Sequence, residues 1–133
     1  MEEIVIGIDP GREKCGIAVV HRKNGVLYKN IVDTAKLVET VDECTKKYKI
    51  ATAVLGAGTS SKNAVESIRA GCNNLQLVLI NEYRTTDAAR VRYWQENPPR
   101  GIKRLIPTSM MVPPASVDDY AAVIIAEKYL FAE

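Results

Sequence analysis

Soft and borderline metal ligands are scarce in this chain of 133 residues: one histidine, His21, and three scattered cysteines, Cys15, Cys44 and Cys72. A lone histidine excludes multi-histidine centres. An odd set of cysteines with no Cys-x-x-Cys pair favours reduced thiols in a cytoplasmic protein over a disulfide framework or a zinc site. Any metal must therefore be held by oxygen. Long hydrophobic runs are also missing. The longest, Tyr120 to Ala126, is seven residues, against about 20 for a membrane-spanning helix, so no membrane association is expected. The opening Met-Glu-Glu lacks the basic start of a secretory signal. Net charge is only +2, too small to argue for a nucleic-acid partner by itself.

What remains is ordinary globular composition, 47% hydrophobic and 26% charged, in a length that suits a single domain over residues 1–133. Ile4 to Ile8 reads as a buried strand closed by the turn signal Asp9-Pro10-Gly11. Gly16 to Val20 is a second strand and Gly25 to Tyr28 begins a third. Asn24-Gly25 between them predicts an antiparallel hairpin. A helix is expected from about Ala35 to Tyr48, capped by Asp33 or Thr34, with Leu37, Val41, Cys44 and Tyr48 forming its inward stripe. Thr52 to Leu55 is a fourth strand. A helix from about Lys62 to Ala70 follows, ended by Gly71, and then a fifth strand from Leu75 to Ile80. A third helix covers about Thr86 to Glu96, stopped by Pro98-Pro99, and a last one runs from about Val117 to Phe131. The order predicts an α/β fold: a five-stranded mixed sheet, strands one to three antiparallel and one, four and five parallel, with helices on both faces.

Charge is unevenly distributed. From Arg84 to Arg104 six basic residues stand against two acidic ones, and five of the six prolines fall between Pro98 and Pro114. That predicts a basic, irregular loop, open to being a phosphate-gripping surface, a subunit contact or a solvated face. Carboxylates are expected to converge elsewhere. Asp9 leaves the first strand, Glu82 leaves the fifth, and Asp118 lies in the first turn of the last helix, whose small Ala121 and Ala122 permit close packing on the sheet. Sites in open α/β sheets gather at the carboxyl ends of parallel strands. Three carboxylates there suit Mg²⁺ or Mn²⁺, and two such ions activate water and stabilise the leaving oxygen of a phosphodiester. The bland alternative makes Asp9 a turn residue and Asp118 a helix cap. Asp119, about 100° further round the helix, is expected to cap or to face solvent.

Three stretches resemble one family. Residues 4–20 within "IVIGIDPGREKCGIAVV", then "LINEYRTT" and "VDDYAAVIIAEKYL", are similar to the opening, the fifth strand and the last helix of the YqgF-type proteins. These are Holliday junction resolvase-like members of the RNase H-like superfamily, related to the RuvC-type resolvases. The resemblance implies an RNase H-like fold and a metal-dependent nuclease acting on structured DNA or RNA, either a four-way junction or the 5′ end of precursor 16S rRNA. It implies that Asp9, Glu82 and Asp118 are catalytic and hold the metal, two ions of Mg²⁺ or Mn²⁺. The chain departs from the family at Asn81-Glu82-Tyr83, where the arginine is displaced to Arg84, and at Gly56-Ala57-Gly58. The fourth acid of RuvC-type resolvases is absent, with Ala115 and Ala121 at those places.

For the substrate strand, the residues themselves offer Arg12 and Lys14 after Asp9, Thr59 or Ser60 at the start of the second helix, and Arg84, Arg100, Lys103 and Arg104 in the basic segment. Tyr93-Trp94 among Arg90 and Arg92 suits base stacking or a core or homodimer anchor. Met110-Met111 reads as a flexible wall or as loop packing. A dinucleotide site at Gly56-Ala57-Gly58 is disfavoured because Ser61 stands where the third glycine belongs, and an actin-like ATPase would need a second such domain. A catalytically silent nucleic-acid-binding module is the alternative from another class.

Overall fold

The computed structural model describes residues 3–58, 60–72, 74–81, 85–97 and 118–131. Five strands form one sheet in the order β3-β2-β1-β4-β5, with β1 Ile4–Asp9, β2 Lys14–His21, β3 Gly25–Asp33, β4 Thr52–Ala57 and β5 Gln76–Asn81. The hairpin strands β1-β2-β3 pair antiparallel, and β4 and β5 join β1 in parallel. The expected mixed sheet is therefore present. Its helices are α1 Leu37–Tyr48, preceded by a 3-10 turn Thr34–Lys36, then α2 Ser61–Gly71, α3 Thr85–Glu96 and α4 Asp118–Leu130.

Burial explains the sequence patterns. β1 lies at the centre of the sheet and is covered on both faces, so it reads as an unbroken apolar run. Alternation divides its side chains. Ile6 and Ile8 enter a core with Leu37, Val41 and Ile68 from α1 and α2, while Val5 joins Ala122, Ile125 and Leu130 of α4 on the other face. α1 covers one face only and is amphipathic as expected, with Leu37, Val41 and Cys44 buried. α4 is apolar nearly all round because the sheet lies along one side and α3 along another, through Ala89, Tyr93, Tyr120 and Ala121. Among the described residues, no helix is long and apolar enough to cross a membrane.

Two local expectations are corrected. Asp33 precedes the 3-10 turn but its side chain makes no capping bond, and the Thr34 hydroxyl is spent on the carbonyl of Gly11 at 2.9 Å. Gly71 is the last residue of α2 rather than its terminator, and Cys72 follows as the cap. β3 begins at Gly25 as expected and runs on to Asp33, since its hairpin with β2 pairs as far as Lys14.

α4 approaches the sheet closely through Gly7. A Cβ there would overlap the Ala122 carbonyl oxygen and come within 2.8 Å of the Ala126 Cβ. Gly7→Ala is expected to destabilise the fold by about 2–3 kcal/mol, because the obstruction is backbone and cannot rotate away. A thermal melt checks this, with Tm falling by roughly 6–12 °C. An unchanged Tm would mean that α4 does not sit where described.

Candidate active site

Asp9 is the last residue of β1, and its cross-strand partner on β2 is Gly16. On β1 it shares a face with Val5 and Gly7, the face that α4 covers. The first turn of α4 lies directly over Gly16: a Cβ there would overlap the carbonyl oxygen and carbonyl carbon of Asp118. Asp118, Ala122 and Ala126 form an i, i+4, i+8 stripe laid along Gly16 and Gly7. The helix start is thus brought to the residue paired with Asp9, at the edge where the parallel strands β1, β4 and β5 end. Both aspartates are half-buried. In the sequence Ala121 and Ala122 looked equivalent, but only Ala122 meets the sheet, while Ala121 packs towards α3.

The third expected carboxylate, Glu82, follows the last residue of β5 and lies outside the described residues, as do Thr59, Arg84, Arg100, Lys103, Arg104 and the Met110-Met111 pair. Ile80, two residues before Glu82, packs on the α4 side of the sheet. Among the described residues no three His, Cys, Asp or Glu side chains gather into one metal-binding group. Asp9 and Asp118 are hard oxygen ligands, and Gly16, the residue paired with Asp9, is what lets the Asp118 backbone lie against β2. That donor chemistry fits Mg²⁺ or Mn²⁺.

The turn that follows Asp9 is tied down from the far side of the hairpin. The Thr34 N–H donates to the Glu13 carbonyl at 2.8 Å and the Thr34 hydroxyl to the Gly11 carbonyl, with the Cys15 thiol 3.4 Å from that hydroxyl. The same turn forms one wall of a cleft of about 430 Å³. Pro10, Gly11 and Arg12 line it together with Ser60, at the start of α2, and Asn63 and Ser67 further along that helix. The Ser60 side chain makes no capping bond, while the Ser61 hydroxyl donates to the Gly58 carbonyl at 2.7 Å. Arg12 and Ser60 therefore share a polar cleft, and Lys14 is exposed at the start of β2 outside it.

Of the two roles expected of it, capping the helix start or facing solvent, Asp119 takes the first. Its Oδ1 accepts from the Tyr120 N–H at 2.9 Å, and its Oδ2 lies 3.4 Å from the Lys29 ammonium of β3. That ammonium also sits 4.4 Å from the centre of the Tyr120 ring. The Tyr120 ring meets Tyr93 edge-on at 5.8 Å, and Trp94 meets Tyr93 likewise at 5.1 Å. Tyr93 is thus committed to packing α3 against α4. Arg92, one of the expected basic groups, pairs with Glu127 of α4, so its charge is already engaged and is not offered to a ligand. Lys29 is the residue that sequence reasoning missed. The three cysteines are free and buried, and burial, followed by Glu43 for Cys44 and Asp42 for Cys72, pushes those two thiols up. They are packing residues.

The chain is similar to three solved structures over nearly its whole length. Thermus thermophilus RuvC in complex with a Holliday junction substrate superposes with a TM-score of 0.62 at 15% identity, covering 94% of this chain and 90% of that one. Another Thermus thermophilus RuvC structure gives 0.59 at 14%, covering 92% and 90%. The fowlpox virus resolvase, solved with its substrate Holliday junction DNA, gives 0.59 at 16%, covering 96% of both chains. These likenesses define the fold class: the RNase H-like fold of the RuvC and poxvirus resolvases. No protein-family model matches the chain, and no curated protein matches its sequence.

Burial pulls the Lys29 pKa down, but the charge of Asp119, then Tyr120, outweighs this and leaves it above its ordinary value of 10.5. A raised folded-state pKa stabilises the fold below the unfolded value, and the contribution is lost as pH rises through the folded one. Lys29→Met should therefore cost roughly 0.5–1.5 kcal/mol near neutrality, with the gap to wild type narrowing above pH 10.5. Urea unfolding at a series of pH values checks this. A gap that stays constant through the alkaline range would show that the ammonium charge is not what matters.

Proposed function

We propose that this protein is a single-domain, divalent-metal-dependent endonuclease that hydrolyses phosphodiester bonds in branched or structured nucleic acid, in the manner of Holliday junction resolvases. The observation that carries the reading is the seating of the α4 start, with Asp118, on Gly16, the partner of Asp9. The end of β1 and the start of α4, from opposite ends of the sequence, thus meet at one strand edge, the kind of place where α/β sites form. In this reading Asp9, Asp118 and Glu82 hold Mg²⁺ or Mn²⁺. The bound ions supply the charge that makes water nucleophilic and stabilises the leaving oxygen.

The chain's own residues do the rest. Asp9 and Asp118 orient the site from the sheet and from the helix. Arg12 and the Ser60 hydroxyl, both lining the cleft beside Asp9, grip a neighbouring phosphate of the cut strand, and Lys14 attracts the backbone from the exposed side of the hairpin. Thr59, Arg84, Arg100, Lys103 and Arg104 extend the grip. The YqgF resemblance adds the 5′ end of precursor 16S rRNA as a second substrate to be offered. The three resolvase-like structures include two in complex with Holliday junctions, which favours the four-way DNA junction as the first.

Asp9→Asn and Asp118→Asn should each reduce Mn²⁺-dependent cleavage of a labelled four-way junction by at least about 10²- to 10³-fold, with folding and junction binding retained. Wild-type turnover in either folded variant would sink the metal-nuclease reading. Precursor rRNA cut in preference to the junction would move the substrate to RNA.

Neutralising Arg100, Lys103 and Arg104 together should weaken junction binding evenly across sequences. It should also flatten the log–log salt dependence by about 0.7–0.9 for each phosphate that is no longer neutralised. A change in molecular mass by light scattering, with binding unaltered, would instead make that segment a homodimer contact.

A further inference from the structure

Nothing in the reading of Asp9 and Asp118 as catalytic carboxylates explains how the start of α4 is kept in place. Gly16 permits contact there but supplies no attraction. The first backbone N–H groups of any helix lack intrahelical acceptors, so an unsecured first turn frays and takes Asp118 with it. We infer that Lys29 is a positioning residue: it clamps the first turn of α4 to β3 and so sets where Asp118 stands relative to Asp9. The inference rests on the proposed function and deepens it.

The clamp has two grips from one ammonium. Lys29 Nζ lies 3.4 Å from Asp119 Oδ2 and 4.4 Å from the centre of the Tyr120 ring, so it holds both residues that follow Asp118. The Asp119 carboxylate is only 15% exposed and the Lys29 side chain 33%, so water screens the pair less than a surface ion pair. Tyr120 is buried and is held from its other edges by Tyr93 and by the Asn97 side-chain amide, 3.3 Å from its hydroxyl. The turn is thus fixed from α3 on one side and from β3 on the other.

Lys29 reaches this place through a backbone irregularity. It pairs with Ala18, which belongs to the α4-side core. The pairing register shifts between Val19 and Val20, where Leu27 is the extra residue on β3. In a regular ladder running from the His21–Gly25 pair, Tyr28 would stand opposite Ala18, and Lys29 would point to the other face of the sheet. The bulge therefore determines which face receives the ammonium.

The test compares Lys29→Met, Lys29→Arg and Lys47→Met. Lys47 makes a similar contact over the Tyr48 ring, at 5.3 Å, on α1, and so controls for a general weakening of packing. Cleavage of a four-way DNA junction is measured at saturating protein over a range of Mn²⁺ concentrations, alongside junction affinity in Ca²⁺ and amide hydrogen exchange at Asp119, Tyr120 and Ala121. Lys29→Met should slow cleavage about 10- to 100-fold, the usual effect of a misplaced catalytic group. It should also raise the Mn²⁺ concentration needed and speed exchange in that turn, while junction affinity holds. Lys29→Arg should recover most of the rate, and Lys47→Met should match wild type. Should Lys29→Met fail to fold, Lys29→Gln gives the same comparison without charge.

A folded Lys29→Met that cuts like wild type at the same Mn²⁺ concentration overturns the inference and leaves the nuclease reading standing. So does an equally slow Lys47→Met. Wild-type protein that cuts no junction with Mn²⁺ overturns the nuclease reading itself, and the positioning role falls with it.

Discussion

The close approach of α4 to the sheet over Gly7 and Gly16 sets the surroundings of the end of β1. Two glycines on adjacent antiparallel strands leave a shallow trough, and the Asp118-Ala122-Ala126 stripe lies in it with backbone near backbone. That approach requires the helix to carry small residues on its sheet side. It also lays the Asp118 backbone against Gly16, the residue paired with Asp9.

The strand end at Asp9 has two differently equipped sides. Towards α4 stand carboxylates, with Lys29 and Tyr120 bracing the helix that carries one of them. Towards α2 lies the cleft with Arg12 and the uncommitted Ser60 side chain, its wall held by Thr34. A backbone crossing this edge would meet negative oxygen ligands on one side and positive or hydroxyl groups on the other. In the proposed function the first hold the ions and the second hold the strand.

Much of this was legible in the sequence, and what was not has a physical reason. The apolar run at Ile4–Ile8, the Asn24-Gly25 turn and the strand–helix alternation after Thr52 predicted the sheet, because a buried central strand and a hairpin leave strong local signals. Asp9 and Asp118 stood out because each sits at the end of an apolar element. Lys29 did not, since its role depends on a bulge at Leu27 that no residue type announces and that reverses the face of everything beyond it on β3. Arg92 looked like part of a basic surface until its partner Glu127, 35 residues away, came into view. The Thr34 side chain looked like a helix cap, but the hairpin turn competes for it and wins. Long-range pairing decided each of these cases, and periodicity carries no information about it.

In the proposed function Asp9 and Asp118 belong to one divalent-ion site. Manganese relaxation in amide-resolved NMR of the wild-type protein tests it most directly. Substoichiometric Mn²⁺ should broaden the signals of Asp9, Gly16 and Asp118 first, and Asp118→Asn should abolish that selective broadening. If those three signals survive while another acidic region, such as that around Asp42, is broadened, the ion binds elsewhere and Asp9 and Asp118 do not form its site.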